Sequence, residues 1–269
     1  MKDAYPLPRV EESLDALGKA KLFSSLDLTA GYFQVAVHAD DQEKTAVTTP
    51  FGLYQWTRMP FGLCNAPATF QRLMEVVLGD LAFVVLLIYL DDVLVFSSDF
   101  DSHCEKLDLV FSRLKEHGLK LKPSKCFLLK SEVRFLGHIV SAEGVRVDME
   151  KVKALQDWPV PRSTKDVRQV VGFMSYYRRF VPNFAQLAKP IHSLMGKSKK
   201  ESGGQSVPFV WSRECQEAFD IRCSLNLSSP VLAYPDFSLP FTLTTDGSLL
   251  GLGSAQPAAR GGRACCRVC

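Results

Sequence analysis

The sequence predicts an α+β fold in which helices pack on one face of an antiparallel sheet. Short segments rich in Val, Ile, Leu and aromatic residues alternate with tight turns, as in β-hairpins. Apolar residues recur at helical spacing between them, so the elements follow one another as helix, strand, strand pair, helix, hairpin and helix. With 269 residues and 46% hydrophobic content, the chain can form one large or two modest domains.

The first predicted elements are a short helix and several strands. Apolar residues from Val10 mark one face of a helix that Gly18 closes. Residues 22–28 are typical of a strand and carry Asp27 near its end, and Phe33, Val35 and Val37 then alternate as strand residues do. Residues 44–59 predict a pair of strands around a turn at 50–52.

Two helices are predicted on either side of a hairpin. Asn65 caps the first helix, which carries one apolar stripe and ends before Gly79. Ser102 and Glu105 form a capping box for the second, which Gly118 ends. We expect both stripes to form core.

Two adjacent acids, Asp91 and Asp92, interrupt the apolar run 81–97. We expect strands from about 83 to 89 and 93 to 96, with both acids at the exposed tip between them. Asp is a good turn former, and this alone could explain the pair. The alternative is a divalent-metal site, because neighbouring carboxylates repel unless a cation or proton intervenes. Asp27 would complete a cluster of three if its strand lay opposite.

The second half of the chain is basic. Residues 1–101 carry 7 Lys and Arg against 14 Asp and Glu, whereas residues 102–200 carry 20 against 9. This pattern suits a polyanion that one part grips and another processes, although solvated helix faces would give similar counts. Leu and Lys alternate over 119–130, which also protects an edge strand from aggregation. A hairpin over 135–147 and a helix from Ser163 to Arg179 follow.

The sequence favours a reducing intracellular compartment, cytoplasmic or nuclear. The eight cysteines have no regular spacing through most of the chain, and the N-terminus lacks the apolar core of a signal peptide. Cys265, Cys266 and Cys269 have no nearby His or second Cys pair, so no zinc site is predicted there. The run 81–97 is too short for a bilayer, which needs about 20 apolar residues.

Four motifs occur in an order that resembles one known family. They are LDLTAGYFQV around Asp27, MPFGLCNAPATFQ, the YLDD hairpin and FLGHIV. The chain resembles the reverse transcriptases of long-terminal-repeat retroelements, and the Ty3/gypsy class in particular, from Tyr5 to about Gln256. YLDD alone would be a weak signal, but the four motifs together are specific.

The resemblance implies the palm of a right-hand polymerase, a helical thumb or connection, and the start of a ribonuclease H. It implies an RNA-directed DNA polymerase that extends a primer on an RNA or DNA template from deoxynucleoside triphosphates. Asp27 and Asp91 would hold two Mg²⁺ ions, which Mn²⁺ could replace, with Asp92 contributing beside them. Two alternatives to an active polymerase remain. One is an inactive remnant that only binds nucleic acid, and the other, less compatible with the motifs, is a metal-dependent hydrolase of another fold.

The same resemblance assigns residues to the substrates. Tyr32 would lie under the nucleotide sugar and exclude a 2′-hydroxyl, although an isolated Tyr is more often a core residue. The remaining implied contacts are Phe61 and Gly62 with the nucleotide, and Tyr89, Phe135, Leu136, Gly137, Arg178 and Arg179 with primer and template.

The implied domains are a palm at 1–145, a thumb or connection at 146–205, a ribonuclease H start at 206–256 and an unrelated tail at 257–269. Asp246 matches the first metal-binding acid of ribonuclease H, but no Asp or Glu follows it. We therefore expect no ribonuclease H activity. Because few residues precede the first metal-binding acid, we also expect most of the fingers to be missing.

Overall fold

The computed structural model of the chain describes residues 3–181, 183–195, 209–220, 231–235, 244–248 and 251–255, without the side chains of 154–156 and of the last two ranges. Two compact units are distinguished. The first contains the residues up to 136 together with 140–142. The second contains residues 137–139 and the described residues from 143 onward. Residues 196–205 of the predicted thumb or connection and the predicted tail 257–269 lie outside the described residues.

The first unit is an α+β structure, as predicted. Its helices are α1 (Val10–Asp15), α2 (Ala39–Gln42), α3 (Ala66–Leu78) and α4 (Phe100–Glu116). Its strands are β1 (Leu22–Asp27), β2 (Val47–Thr49), β3 (Gly52–Tyr54), β4 (Leu86–Tyr89), β5 (Asp92–Ser97), β6 (Phe127–Lys130) and β7 (Glu132–Phe135).

A four-stranded sheet with the order β4-β5-β1-β6 forms the centre of this unit. Every neighbouring pair is antiparallel. The register between β1 and β5 runs from Leu22 opposite Ser97 to Asp27 opposite Asp92. The predicted Leu and Lys segment supplies β6, which lies at the sheet edge. Lys130, the one lysine within β6, thus has the edge position in which charge opposes strand addition.

The apolar stripes of α3 and α4 form one core with the sheet, which confirms their prediction. The buried residues of the two helices in this core are Ala66, Phe70, Met74, Val77 and Leu78 of α3, and Leu107, Val110 and Leu114 of α4. The sheet contributes Leu26, Leu86, Ile88, Val93 and Val95. Burial of side chains of this size stabilises a fold by roughly 1.5–3 kcal/mol each.

A buried chain of hydrogen bonds also joins α4 to three strands. His103 of α4 is fully buried, and its Nε2 and Nδ1 lie 2.7 Å from the hydroxyls of Ser24 and Ser97. Ser97 Oγ donates to the Asp99 carbonyl, so it accepts from Nδ1–H of the ring. Ser24 Oγ accepts from the Leu129 N–H, and it donates its own hydrogen to Nε2, which carries no proton in the neutral ring. Every group is paired only when His103 is neutral.

Two local predictions were wrong at the level of single residues, and a third was right in position only. Asp99, not Ser102, caps α4, and its carboxylate accepts from the Ser102 N–H at 2.9 Å. Asn65 is the N-cap residue of α3, as predicted, but its side chain makes no hydrogen bond to the helix, and its Oδ1 accepts from the Asp3 N–H. Residues 31–34 form a 3₁₀ turn after Ala30, whose φ is 46°, so the predicted alternation there is not a strand.

The second unit contains the strands β9 (Gly144–Val147), β10 (Thr244–Ser248) and β11 (Gly251–Ala255), and the first two residues of β8 (His138–Ser141), whose last two residues belong to the first unit. Its helices are α5 (Met149–Gln156), α6 (Thr164–Tyr176), α7 (Phe184–Ser193) and α8 (Arg213–Asp220). The strands β8 and β9 are the predicted hairpin. Ser163 caps α6, whose predicted stripe from Val167 to Met174 is buried, and α7 packs against both α6 and α8.

In the described part of the chain, no helix combines the length and apolar character that a membrane span requires.

Candidate active site

The turn between β4 and β5 places the two acids differently from the prediction. Asp91 is exposed in the turn, but Asp92 is the first residue of β5 and is half-buried. Leu90 precedes them in the left-handed region, with a φ of 54°. This conformation costs a residue with a Cβ atom roughly 1–2 kcal/mol. The turn therefore needs support from its surroundings.

Asp27 lies at the end of β1, directly opposite Asp92. Its carboxylate is 24% exposed and lies 3.2 Å from the Lys125 ammonium. The Lys122 N–H donates to the Asp27 carbonyl at 2.9 Å, which holds the end of the strand against the segment before β6. The antiparallel pairing thus brings Asp27 and Asp92, one acid from each motif, to the same end of the two central strands.

The negative charges of these acids favour a bound cation. Burial raises the pKa of Asp92, and the nearby charges of Asp91 and Asp27 raise it further, while Lys125 opposes this. Among the described residues, no three Asp, Glu, His or Cys side chains stand close enough to hold a metal ion without rearrangement. The ammonium group at Asp27 already occupies a position where positive charge is stabilised. The donor set, three carboxylates, fits hard divalent ions such as Mg²⁺.

An aromatic group lies beside the acids. The half-buried Tyr32 ring packs against Phe61 and Phe70, with ring centroids 5.1 and 5.5 Å away. Burial and the charge of Asp91 both raise the pKa of Tyr32. A Cβ atom on Gly31 would lie 3.0 Å from the Phe70 ring and 3.5 Å from the Asp91 Cβ. Residue 31 therefore has to be small for the turn to approach.

The MPFG loop presents one large apolar side chain to solvent. Phe61 is 62% exposed. Gly62 has a φ of 93°, and a Cβ atom there would contact nothing within 4 Å. The structure thus brings the predicted nucleotide contacts Tyr32 and Phe61 together near Asp91.

Two residues of this site were missed by the sequence analysis. Gln71 of α3 is fully buried, and its Oε1 accepts from the Leu90 N–H at 2.8 Å. Gln71 is three residues before Met74 and so lies on the apolar stripe of α3. A polar residue in that stripe was the signal available in the sequence. Lys125 had no local signal, since only the fold brings it to Asp27.

The predicted primer-holding residues occupy a tight turn. Phe135 is buried at the end of β7 in the first unit, and Leu136 has a φ of 47°. Gly137, in the second unit, has a φ of 71°, and its carbonyl accepts from the Tyr177 hydroxyl at 3.2 Å. His138 beside it is buried and stacks on Phe180. Only a residue that tolerates positive φ fits position 137 without strain.

The remaining predicted residues lie elsewhere. Tyr89 is half-buried and opposite Asp92 in the pairing of β4 with β5. Arg178 is exposed and Arg179 half-buried in the 3₁₀ turn after α6. Asp246 lies in β10, opposite Gly253 of β11.

Related sequences align with nearly the whole chain. The chain is 41% identical over 252 residues to the Pol polyprotein of transposon 297 from Drosophila melanogaster. It is 38% identical to that of transposon gypsy from the same fly, and 30% identical to the transposon Tf2-3 polyprotein of Schizosaccharomyces pombe. These alignments cover 94, 94 and 93% of the chain but only 23, 25 and 18% of those polyproteins. The chain spans a quarter or less of these relatives.

Solved structures show the same fold. The foamy viral protease-reverse transcriptase in complex with double-stranded DNA matches with a TM-score of 0.83 and 25% identity, over 99% of this chain and 46% of that one. The same viral protein in complex with an RNA/DNA hybrid matches with a TM-score of 0.77 and 25% identity, over 100% of this chain and 36% of that one.

A sequence profile described as reverse transcriptase (RNA-dependent DNA polymerase) matches residues 1–140, which include all four motifs. The predicted resemblance to the gypsy class is confirmed by the transposon relatives. The predicted polymerase fold is confirmed by the viral structures. The chain belongs to the reverse transcriptase family.

Proposed function

We propose that this chain is the polymerase part of a retroelement Pol polyprotein and extends a primer on an RNA or DNA template. The observation that carries the proposal is the register of β1 with β5, which places Asp27 opposite Asp92 and beside the turn that holds Asp91. The transposon relatives are Pol polyproteins, which supports the same activity.

In this proposal, Asp27 and Asp91 hold two Mg²⁺ ions and Asp92 contributes to the site. Bound divalent ions would activate the primer 3′-hydroxyl and stabilise the charge that develops on the phosphate and the leaving pyrophosphate. The protein's part is to keep three negative carboxylates close together against their mutual repulsion. The strand pairing does this for Asp27 and Asp92, and the supported turn does it for Asp91.

The aromatic group next to the acids would bind the deoxynucleoside triphosphate. The Tyr32 ring, fixed between Phe61 and Phe70, presents a rigid surface to a sugar and leaves little room for a 2′-hydroxyl. The exposed Phe61 and the open space at Gly62 suit the approach of a base pair.

The template and primer would contact the β7–β8 turn and the basic residues after α6. Residues 162–200 carry nine Lys and Arg and one acid, which suits contacts with several phosphates. The viral reverse transcriptase was solved with double-stranded DNA and with an RNA/DNA hybrid. We assign residues 1–145 to the palm, 146–205 to the thumb or connection and 206–256 to a ribonuclease H start that includes Asp246.

A second candidate function is nucleic-acid binding without catalysis. The contact between Lys125 and Asp27 favours it, because an ammonium group there competes with a metal ion. The same basic residues would still bind a duplex. The two candidate functions differ only in whether the three acids hold metal ions for catalysis.

Primer extension on an RNA template, with Mg²⁺ or Mn²⁺, tests the polymerase. We expect the parent chain and the Asp101→Asn control to extend the primer, since Asp101 is an exposed acid in the first turn of α4. Asp91→Asn should abolish extension and leave duplex binding intact. Extension by Asp91→Asn would refute the assignment of the acids. No extension by any folded variant, with duplex binding that depends on Arg178 and Arg179, would establish the second candidate.

A further inference from the structure

Gln71 is a fully buried polar side chain with both ends engaged. Its Oε1 accepts from the Leu90 N–H at 2.8 Å, and its Nε2 donates to Glu75 Oε1 at 2.9 Å. The carboxylate of Glu75 can only accept from an amide. It therefore fixes which end of the Gln71 amide faces Glu75, and leaves the amide oxygen for Leu90.

This bond acts on the residue immediately before Asp91. Leu90 has the strained left-handed conformation, and its N–H is the backbone group that Gln71 binds. On another side of the turn, Gly31 lets the Asp91 Cβ approach closely. The position of Asp91 thus depends on a helix side chain that hydrogen-bonds to the preceding residue, Leu90, and to Glu75.

The hydrogen-bond chain continues to the N-terminal segment. Glu75 Oε2 accepts from the Tyr5 hydroxyl, so one carboxylate joins Tyr5 to Gln71. The Arg72 guanidinium lies 4.7 Å above the Tyr5 ring and forms an ion pair with Asp3 at 2.9 Å. The Tyr5 N–H donates to Asp3 as well. The N-terminal segment is therefore held on α3 by several contacts besides the hydrogen bond of the Tyr5 hydroxyl.

We propose that Gln71 is a positioning residue for the acidic turn, and that Tyr5 controls it through Glu75, so that the N-terminal segment sets the metal affinity of the site. The proposal rests on the proposed function, because it assumes that Asp91 binds a metal ion. Removal of an outer hydrogen-bond partner of a metal ligand typically lowers metal affinity about 10- to 100-fold. Gln71 is one residue further out, so we expect the lower end of that range.

The test measures Mn²⁺ affinity by electron paramagnetic resonance, without nucleic acid or turnover. We expect Gln71→Met to weaken Mn²⁺ binding about 10-fold and Tyr5→Phe to weaken it less. Tyr5→Phe in the Gln71→Met background should add nothing, because the path from Tyr5 passes through Gln71. Additive losses of Mn²⁺ affinity would instead show that Tyr5 acts independently of Gln71, as residues without a shared network do. Tyr54→Phe, which removes the same hydroxyl from an exposed tyrosine, should leave the affinity unchanged.

Two results would overturn the proposal. The first is unchanged Mn²⁺ affinity in Tyr5→Phe, which removes one oxygen atom from a half-buried side chain and so remains informative even if Gln71→Met does not fold. The second is an additive double variant. The Asp91→Asn variant separates these results from a failure of the proposed function. If it loses Mn²⁺ binding while Tyr5→Phe does not, only the positioning role falls; if it retains Mn²⁺ binding, the metal site itself is wrong and both proposals fall.

Discussion

Acidification should destabilise the first unit through His103, because the hydrogen bonds around this side chain require a neutral ring. Nδ1–H donates to Ser97, and Nε2 accepts from Ser24. A protonated ring would turn Nε2 into a donor. The Ser24 hydroxyl, which already accepts from the Leu129 N–H, would then lose its acceptor inside the core.

The size of the effect follows from these contacts. A buried polar group without a partner costs about 1–3 kcal/mol. Burial lowers the pKa of His103 below its ordinary value of 6.5, and the charge of Lys106 lowers it further. The unfolded chain therefore binds a proton at a higher pH than the native one. Stability is full above the unfolded pKa and is lost as the pH falls towards the native pKa, by at most about 1.4 kcal/mol per pH unit.

Urea unfolding followed by circular dichroism, between about pH 8 and about pH 5, measures this dependence. We expect His103→Gln to be less stable than the parent by about 1–3 kcal/mol at the upper end. The difference should shrink towards the lower end, because Gln does not titrate. His117→Gln, the same change on an exposed histidine of the same unit, is the matched control. A constant difference between His103→Gln and the parent across the range would refute the proposed neutral ring.

Three further outcomes are expected at the site and at the β7–β8 turn. Gly137→Ala should lower the free energy of unfolding of the second unit by about 1–2 kcal/mol, which thermal unfolding measures. The alanine would have to adopt a φ of 71°, and its Cβ would lie 3.0 Å from the Tyr177 hydroxyl. Asp92→Asn should raise the melting temperature without metal, since it removes a charge that Asp27 repels, and should weaken Mn²⁺ binding; a lower melting temperature would contradict this. Lys125→Gln should tighten Mn²⁺ binding about two- to fivefold in calorimetry, and unchanged affinity would show that its ammonium does not compete.

Gly172→Ala is the matched control for the glycine prediction. Gly172 lies within α6, and a Cβ atom there would meet nothing within 4 Å. Alanine is the better helix former by about 0.8–1.0 kcal/mol, so this variant should be at least as stable as the parent.

The helices and strands of the first unit could be predicted because their signals are local. The stripe of α3 repeats every three or four residues, and the hairpin of β4 and β5 shows as two apolar runs around two acids. The strand limits differ where backbone conformation decides them. Phe83 has a φ of 64°, so β4 begins at Leu86 and not near 83.

Contacts between distant residues could not be predicted in the same way. The spacing of Ser102 and Glu105 predicted a capping box, whereas α4 begins at Phe100 and Asp99 is its cap. Gln71 reaches Leu90, Lys125 reaches Asp27 and His103 reaches Ser24 only when α3, the segment before β6 and α4 take their places around the sheet. The residues alone left Asp27 as either an ordinary strand-end residue or the third acid of a metal site, and the family resemblance favoured the metal site.

The pairing of Asp27 with Asp92 has a consequence for insertions and deletions. A one-residue slip of β5 against β1 would turn each side chain of β5 to the opposite face of the sheet. Because every residue from Val93 to Ser97 is buried, this slip would disrupt the packing of the core. The same slip would separate the two acids. A single inserted or deleted codon in either strand would therefore damage folding and metal binding together, whereas a substitution such as Asp91→Asn would remove only the second.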